Sequence, residues 1–142
     1  MKNSFPALIA ILFLLTLAAC PTPRECNVHF DLNNSFALNQ GATACAPGDD
    51  GLSIRFDSVS GDSRCPVGVQ CIWAGRADAV LTLSQAGTSQ TTTLSTGDMS
   101  KGGAGETTFN GYTVKLENVE PPAKEGQKIE QKDYRVRLVV TR

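Results

Sequence analysis

The chain has 142 residues, 41% of them hydrophobic and 6% aromatic, with 13 glycines. It is too apolar for a disordered protein and long enough for one domain with its own core, not two. The formal charge is −1 and becomes −2 for a chain starting at Cys20, because Lys2 is the sole charged residue before it; the strongly basic footprint of a nucleic-acid binder is absent.

Lys2 opens the chain, and Ala7 to Ala19 is apolar except for Thr16. At about 1.5 Å per residue that run reaches ~20 Å, short of the ~30 Å of a bilayer core, which is signal-peptide length. It ends in Leu17-Ala18-Ala19-Cys20, which resembles the lipobox of bacterial lipoproteins. The resemblance implies cleavage before Cys20, diacylglycerol on its thiol and a further palmitate-type chain on the new amino terminus. Several chains make a stable anchor where one binds marginally. An ordinary signal peptide cut after Ala19 is the plainer alternative. Pro21-Thr22-Pro23 then reads as a stiff tether. The expected division is 1–19 signal peptide, 20–25 lipidated tether and 26–142 domain. In that family Asp after the lipidated cysteine marks inner-membrane retention, so Pro21 implies the outer membrane or cell surface, facing away from the cytoplasm.

Ser35 to Asn39 is a short apolar run, and Ala46 to Gly51 is dense in turn residues. Leu52, Ile54 and Phe56 alternate with polar residues as in a half-buried strand, with a break expected from Gly61 to Gly68. Ala77, Ala79, Leu81 and Leu83 form the next alternating set. The threonine-rich stretch Gln90 to Thr96 reads as an edge or exposed strand, and Gly97 to Gly105 as a glycine-rich loop. Tyr112, Val114 and Leu116, then Tyr134, Val136, Leu138 and Val140, mark two strong strands. Between them the charged connection Glu120 to Asp133 tucks Ile129 against the sheet. With no helical period after the leader, the class is all-β: a single antiparallel β-sandwich of six to eight strands.

Five cysteines leave an odd thiol unless Cys20 takes lipid. Cys26, Cys45, Cys65 and Cys71 then allow three pairings, and exported proteins keep disulfides. Cys26–Cys45 and Cys65–Cys71 are preferred because each closes a local, turn-rich loop. In the loop-entropy model they contribute about 3.3 and about 2.3 kcal/mol. Zinc and dithiol redox chemistry lack the necessary close Cys pair, and His29 is the only histidine. No metal and no cofactor is expected.

The densest segment is Asp62-Ser63-Arg64-Cys65-Pro66-Val67-Gly68-Val69-Gln70-Cys71-Ile72-Trp73-Ala74-Gly75. Its Ser-Arg-Cys-Pro and Cys-x-Trp-x-Gly elements resemble those of small exported bacterial β-proteins without an assigned activity, so the resemblance implies a fold and no chemistry. The plain reading is structural, with Trp73 over the Cys65–Cys71 sulfurs or in the core. The sharper one is a rigid recognition loop presenting Arg64, Gln70 and Trp73, types suited to binding. Gly61-Asp62-Ser63 is similar to a serine-hydrolase signature, but no histidine follows it. Lys101 to Gly105 lacks the order of a phosphate loop, and Asp49, Asp50, Asp57 and Asp62 lack EF-hand spacing. Asp49-Asp50 and Glu117/Glu120 sit where solvated carboxylates belong. The expected function is therefore a lipid-anchored binding or accessory lipoprotein of the cell envelope, not an enzyme. Its partners are the membrane, through the anchor, and an unidentified protein or envelope component, with no nucleic acid. A protease inhibitor offering the Cys65–Cys71 loop is the alternative, and a carboxylate- or metal-dependent envelope hydrolase is third.

Overall fold

The computed structural model describes residues 25–48, 51–97 and 102–142. The signal peptide, Cys20 and the tether as far as Arg24 lie outside the described residues, as do Asp49 and Asp50. What is described is all β apart from one 3-10 turn at Gln131–Asp133. The strands are β1 (Val28–His29), β2 (Ser35–Asn39), β3 (Thr43–Cys45), β4 (Ser53–Asp62), β5 (Arg76–Gln85), β6 (Thr88–Gly97), β7 (Glu106–Phe109), β8 (Tyr112–Glu120) and β9 (Arg135–Thr141). They form two sheets, ordered β1-β3-β4-β5-β6 and β2-β9-β8-β7. All pairings are antiparallel except β1 with β3, which run parallel. The short β1, β3 and β7 take the number of strands above the six to eight expected; the sandwich itself is as expected.

The alternating residues fill the space between the sheets. Ile54, Phe56, Ala77, Ala79, Leu81, Leu83 and Leu94 face Leu38, Val114, Val136, Leu138 and Val140, all fully buried. Such interior surface, at roughly 25 cal/mol per Å² removed from water, is the main drive to fold. The expected edge position of the threonine-rich strand is also found, since β6 closes one side of the first sheet.

The break expected from Gly61 begins two residues later, at Ser63, because β4 runs on to Asp62 through two bulges, at Phe56/Ser58 and Val59/Gly61. Each inserts one residue and exchanges which side chains face inward. The first turns Val59 into the core opposite Ala79. The second brings Asp62 opposite the buried Ala77, on the inner face at the end of the sandwich.

Four cysteines are joined as Cys26–Cys45 and Cys65–Cys71, with Cα separations of 5.7 and 6.0 Å. Two disulfides are the signature of an oxidising, extracytoplasmic environment. Among the described residues no helix is long and apolar enough to cross a membrane.

Candidate functional site

The chain between β4 and β5 leaves the sheet as a narrowing hairpin. Ser63 N–H donates to the Arg76 carbonyl at 2.8 Å and Cys65 N–H to that of Ala74 at 2.8 Å, so the ladder continues past the strand ends. Gly75 makes this possible. Its φ is +66°, and a Cβ there would lie 1.8 Å from the Ser63 carbonyl oxygen, a contact that only glycine escapes. Beyond these bonds the Cys65–Cys71 disulfide closes a ring. Inside it Val69 N–H returns to the Pro66 carbonyl at 3.2 Å, across a turn whose Gly68 has φ +82°. Val67 N–H reaches the Ala123 carbonyl at 2.9 Å, fastening the ring to the β8–β9 connection.

Arg64 is the clamp beneath the ring. Its side chain retains 13% of its exposure and that of Asp62 14%. Nε donates to Asp62 Oδ1 at 2.8 Å and Nη2 to Oδ2 at 2.6 Å, a bidentate pair. The same guanidinium donates to the carbonyls of Val119 and, at 3.0 Å, of Pro121. Tyr134 completes the cluster, its hydroxyl donating to Asp62 Oδ2 at 3.0 Å. Burial works against the charge on Asp62, but the hydrogen bonds and positive charge of Arg64 outweigh it and hold the carboxyl below its ordinary value. Burial, followed by the bond to Asp62, raises the Tyr134 hydroxyl above its ordinary value.

The outer surface of the loop has the opposite character. Ile72 is 93% exposed, Val67 67%, Trp73 63% and Val69 37%; no other large hydrophobic residue among the described ones is exposed. With side chains of this size the four present on the order of 400 Å² of apolar surface, as large as functional patches on monomers usually are. At the foot of the loop lies a groove of about 670 Å³ lined by Arg64, Val67, Pro121, Asn39, Glu120 and Arg135. Its charge is locally balanced. Arg135 Nε and Arg137 Nη2 donate to Glu120 at 2.8 and 3.3 Å, and chiefly the Arg135 bond keeps the Glu120 carboxyl below its ordinary value.

Of the three residues expected to be presented, Gln70 and Trp73 are at the surface and Arg64 is not. Two residues after an inward-facing Asp62, its guanidinium finds its best acceptors beneath the ring rather than in solvent. Trp73 stands outside the core, one of the two places the plain structural reading allowed it, because the hairpin carries it beyond both sheets. Val67, Val69 and Ile72 were absent from the expected set, although four large apolar residues within seven positions of a turn-rich segment are a legible signal. Ser63 Oγ bonds to the Arg76 carbonyl at 3.3 Å. His29 lies at the other end of the first sheet, in a cavity of about 510 Å³ shared with Cys26, Cys45 and Gly87. Among the described residues no three metal-ligating side chains come together. Asp57, for one, is taken by Arg55 at 3.3 Å and by the Thr82 hydroxyl at 2.7 Å. The arrangement is an exposed apolar crown, tied by a disulfide, on a polar, hydrogen-bonded base. Compared with known proteins, the chain matches no family model, no curated protein and no solved structure.

Proposed function

We propose that this protein is an extracytoplasmic binding module, anchored by lipid on Cys20 after removal of residues 1–19, that meets a protein or other envelope component through the Cys65–Cys71 loop without catalysing a reaction. The observation carrying the binding role is that every large exposed apolar residue among the described ones lies in the 63–75 connection, Val67 and Val69 inside the disulfide ring and Ile72 and Trp73 just after it. A monomer that keeps Ile72 almost wholly in water has left apolar surface available to a partner. Binding by a ring already closed by a disulfide loses little conformational entropy, which favours affinity. The anchor is supported by parity, since the two disulfides use four of the five cysteines and leave Cys20. Register supports an accessible crown: Cys45 pairs with Ser53, which pairs with Ser84, whereas Asp62 and Ala77 mark the opposite end of the sheet. The chain thus enters at the Cys26–Cys45 end, about 30 Å along β4 from the loop. An outer-membrane or cell-surface site follows from Pro21 within this reading.

Two measurements on the anchored, full-length protein in intact cells test it. Metabolic labelling with a fatty-acid probe is expected to mark the wild type and not Cys20→Ser; equal labelling overturns the anchor. A photoreactive side chain at Ile72 is expected to give a discrete adduct that Trp73→Ala abolishes at equal abundance. The same group at Asp31, near the Asn33–Val140 contact at the far end, gives none. Equal adducts at both positions, or an adduct indifferent to Trp73, overturn docking through the loop. If the captured partner is a protease that the purified protein slows, the loop acts as an inhibitor.

A further inference from the structure

Unpaired sheet edges expose rows of N–H and C=O groups, and native proteins shorten, charge or cover them. Here β1 has two residues, β7 four and β2 five. The edge of β4 is covered once β3 ends. Gly41 N–H donates to the Phe56 carbonyl at 2.7 Å, Phe56 N–H to that of Ala42 at 3.1 Å, and Gln40 Nε2 to that of Asp57 at 2.7 Å. Gln131 then brackets Val59 with its side-chain amide, accepting at 3.0 Å and donating at 2.8 Å.

Among the described residues, the outer edge of β6 has no main-chain hydrogen bond along most of its length. Its ten residues, Thr88–Gly97, contain no charge and no proline, and its pairing with β5 runs without a bulge. Near the top, Ser95 N–H points away from β5 and donates to the Ala104 carbonyl at 2.8 Å. Because outward-facing groups recur every second residue in an antiparallel ladder, Thr93, Thr91 and Ser89 also turn their N–H and C=O away from β5. Among the described residues, none of the three has a main-chain partner on that side. The open stretch is bounded below by the Ala86-Gly87 turn and above by the Ala104 contact, and its midpoint is Thr91.

We propose that this stretch is a homodimer seam, in which a second copy of the chain pairs antiparallel about a twofold axis at Thr91. Thr91 faces the second copy's Thr91, and Ser89 faces the second copy's Thr93, each pair exchanging two main-chain hydrogen bonds. The two five-stranded sheets become one of ten strands. Three observations select a second copy as the occupant. First, the open stretch is symmetric about Thr91, so the turn of each copy stops where Ala104 of the other begins, and the register is set at both ends. Second, the paired residues are uncharged, so two copies meet without the like-charge repulsion that blunts most edges. Third, a hydroxyl ladder already crosses from β5 to β6, with Ser84 Oγ to Ser89 Oγ at 2.9 Å and Thr82 Oγ1 to Thr91 Oγ1 at 3.3 Å. The seam continues it through Thr91–Thr91 and Ser89–Thr93 contacts, of the kind that stabilise cross-strand pairs. Ser84 and Ser89 pair at the level of Ser53 and Cys45, so both chains enter near the height of the axis while the two crowns project from opposite ends.

A single seam is smaller than a standard interface, so the dimer is weak and concentration-dependent. Cysteine crosslinking of the full-length chain in intact cells tests it by register. At the axis, Thr91→Cys places two thiols on residues about 5.5 Å apart, within disulfide reach. Ser89→Cys or Thr93→Cys alone places them ~14 Å apart, whereas the two variants expressed together bring them opposite one another. The expected result is a covalent dimer for Thr91→Cys and for the mixture, and none for either single variant. No dimer for Thr91→Cys, or equal crosslinking at all three positions, overturns the seam. A Thr91→Cys adduct with a different protein also overturns it, and assigns the edge to a foreign strand. Sedimentation of the wild-type chain in detergent gives a second readout independent of the cysteine variants. Reversible dimerisation is expected there, and its loss in Thr91→Lys, which sets two cations against each other at the axis; a wild type that stays monomeric as its concentration rises overturns the proposal. The seam includes no residue of the 63–75 loop, so it stands or fails independently of docking there.

Discussion

The two disulfides sit at opposite ends of one sandwich and do different work. Cys26–Cys45 ties the incoming chain to β3, next to the buried Ala44 and Ala46. The strand it secures, β1, has two residues and pairs over only two positions, too few to hold without a covalent link. Cys65–Cys71 instead closes a ring outside both sheets, where Val67 and Ile72 meet solvent. The first secures a two-residue strand against the core; the second closes a ring whose apolar side chains lie in solvent. A crosslink therefore says where chain entropy is reduced, and only the surroundings of the sulfurs say for what.

The sharpest way to break this comparison is to remove each bridge in turn. The double variant Cys26→Ala/Cys45→Ala is expected to lose about 3 kcal/mol of unfolding free energy in denaturant titration, the larger loss because its loop is longer. Cys65→Ala/Cys71→Ala is expected to lose about 2 kcal/mol and, unlike the first pair, to abolish photocrosslinking at residue 72 at temperatures where the fold persists. If both bridges prove equal in stability and in crosslinking, they do the same work.

Removing the clamp under the ring has the next effect. Arg64→Ala takes the guanidinium from Asp62 and from the Val119 and Pro121 carbonyls, leaving Asp62 the Tyr134 hydroxyl and the main-chain N–H of residue 64, and a loss of about 2 kcal/mol is expected. The pH dependence distinguishes clamp from packing. Asp62 titrates below its unfolded value, so its contribution is present above that value and fades as acid takes the pH down through the folded one. Tyr134 titrates above its unfolded value, so its contribution is complete below that value and fades as alkali takes the pH up through the folded one. Arg64→Ala is expected to flatten the acid limb of stability against pH; an unchanged limb would show that the pair adds nothing to folding.

The smallest effect on stability is expected where the effect on binding is largest. Ile72→Ser and Trp73→Ala remove exposed side chains and are expected to shift unfolding free energy by less than about 1 kcal/mol. A loss of 3 kcal/mol or more for Trp73→Ala, the range for a core aromatic, would return that residue to a structural role.

Much of the fold was legible because period-two alternation is a local property. Leu81 and Leu83, or Val136 and Leu138, declare an inner face without reference to any partner strand. Both disulfides were legible for the same reason, as local loops in a chain with exported character. β7 was missed because Glu106–Phe109 is four residues with one buried apolar side chain, too short a pattern to register. The site was half legible. Its position, ring and tryptophan could be read from residues 62–75, but the orientation of Arg64 could not. Asp62 is only two residues from Arg64, but nothing local couples that pair to Val119, Pro121 and Tyr134, which come from strands and a connection more than fifty residues downstream.

Residue order was enough for the class, the inner faces and the sulfur pairing, since each depends on neighbours within about twenty positions. Packing one sheet on the other settled which polar groups turn inward and which apolar ones stay in water. The reason is geometric: a side chain's surroundings are set by strands that meet in space, and a single inserted residue in β4 reverses the face on which each later side chain lands.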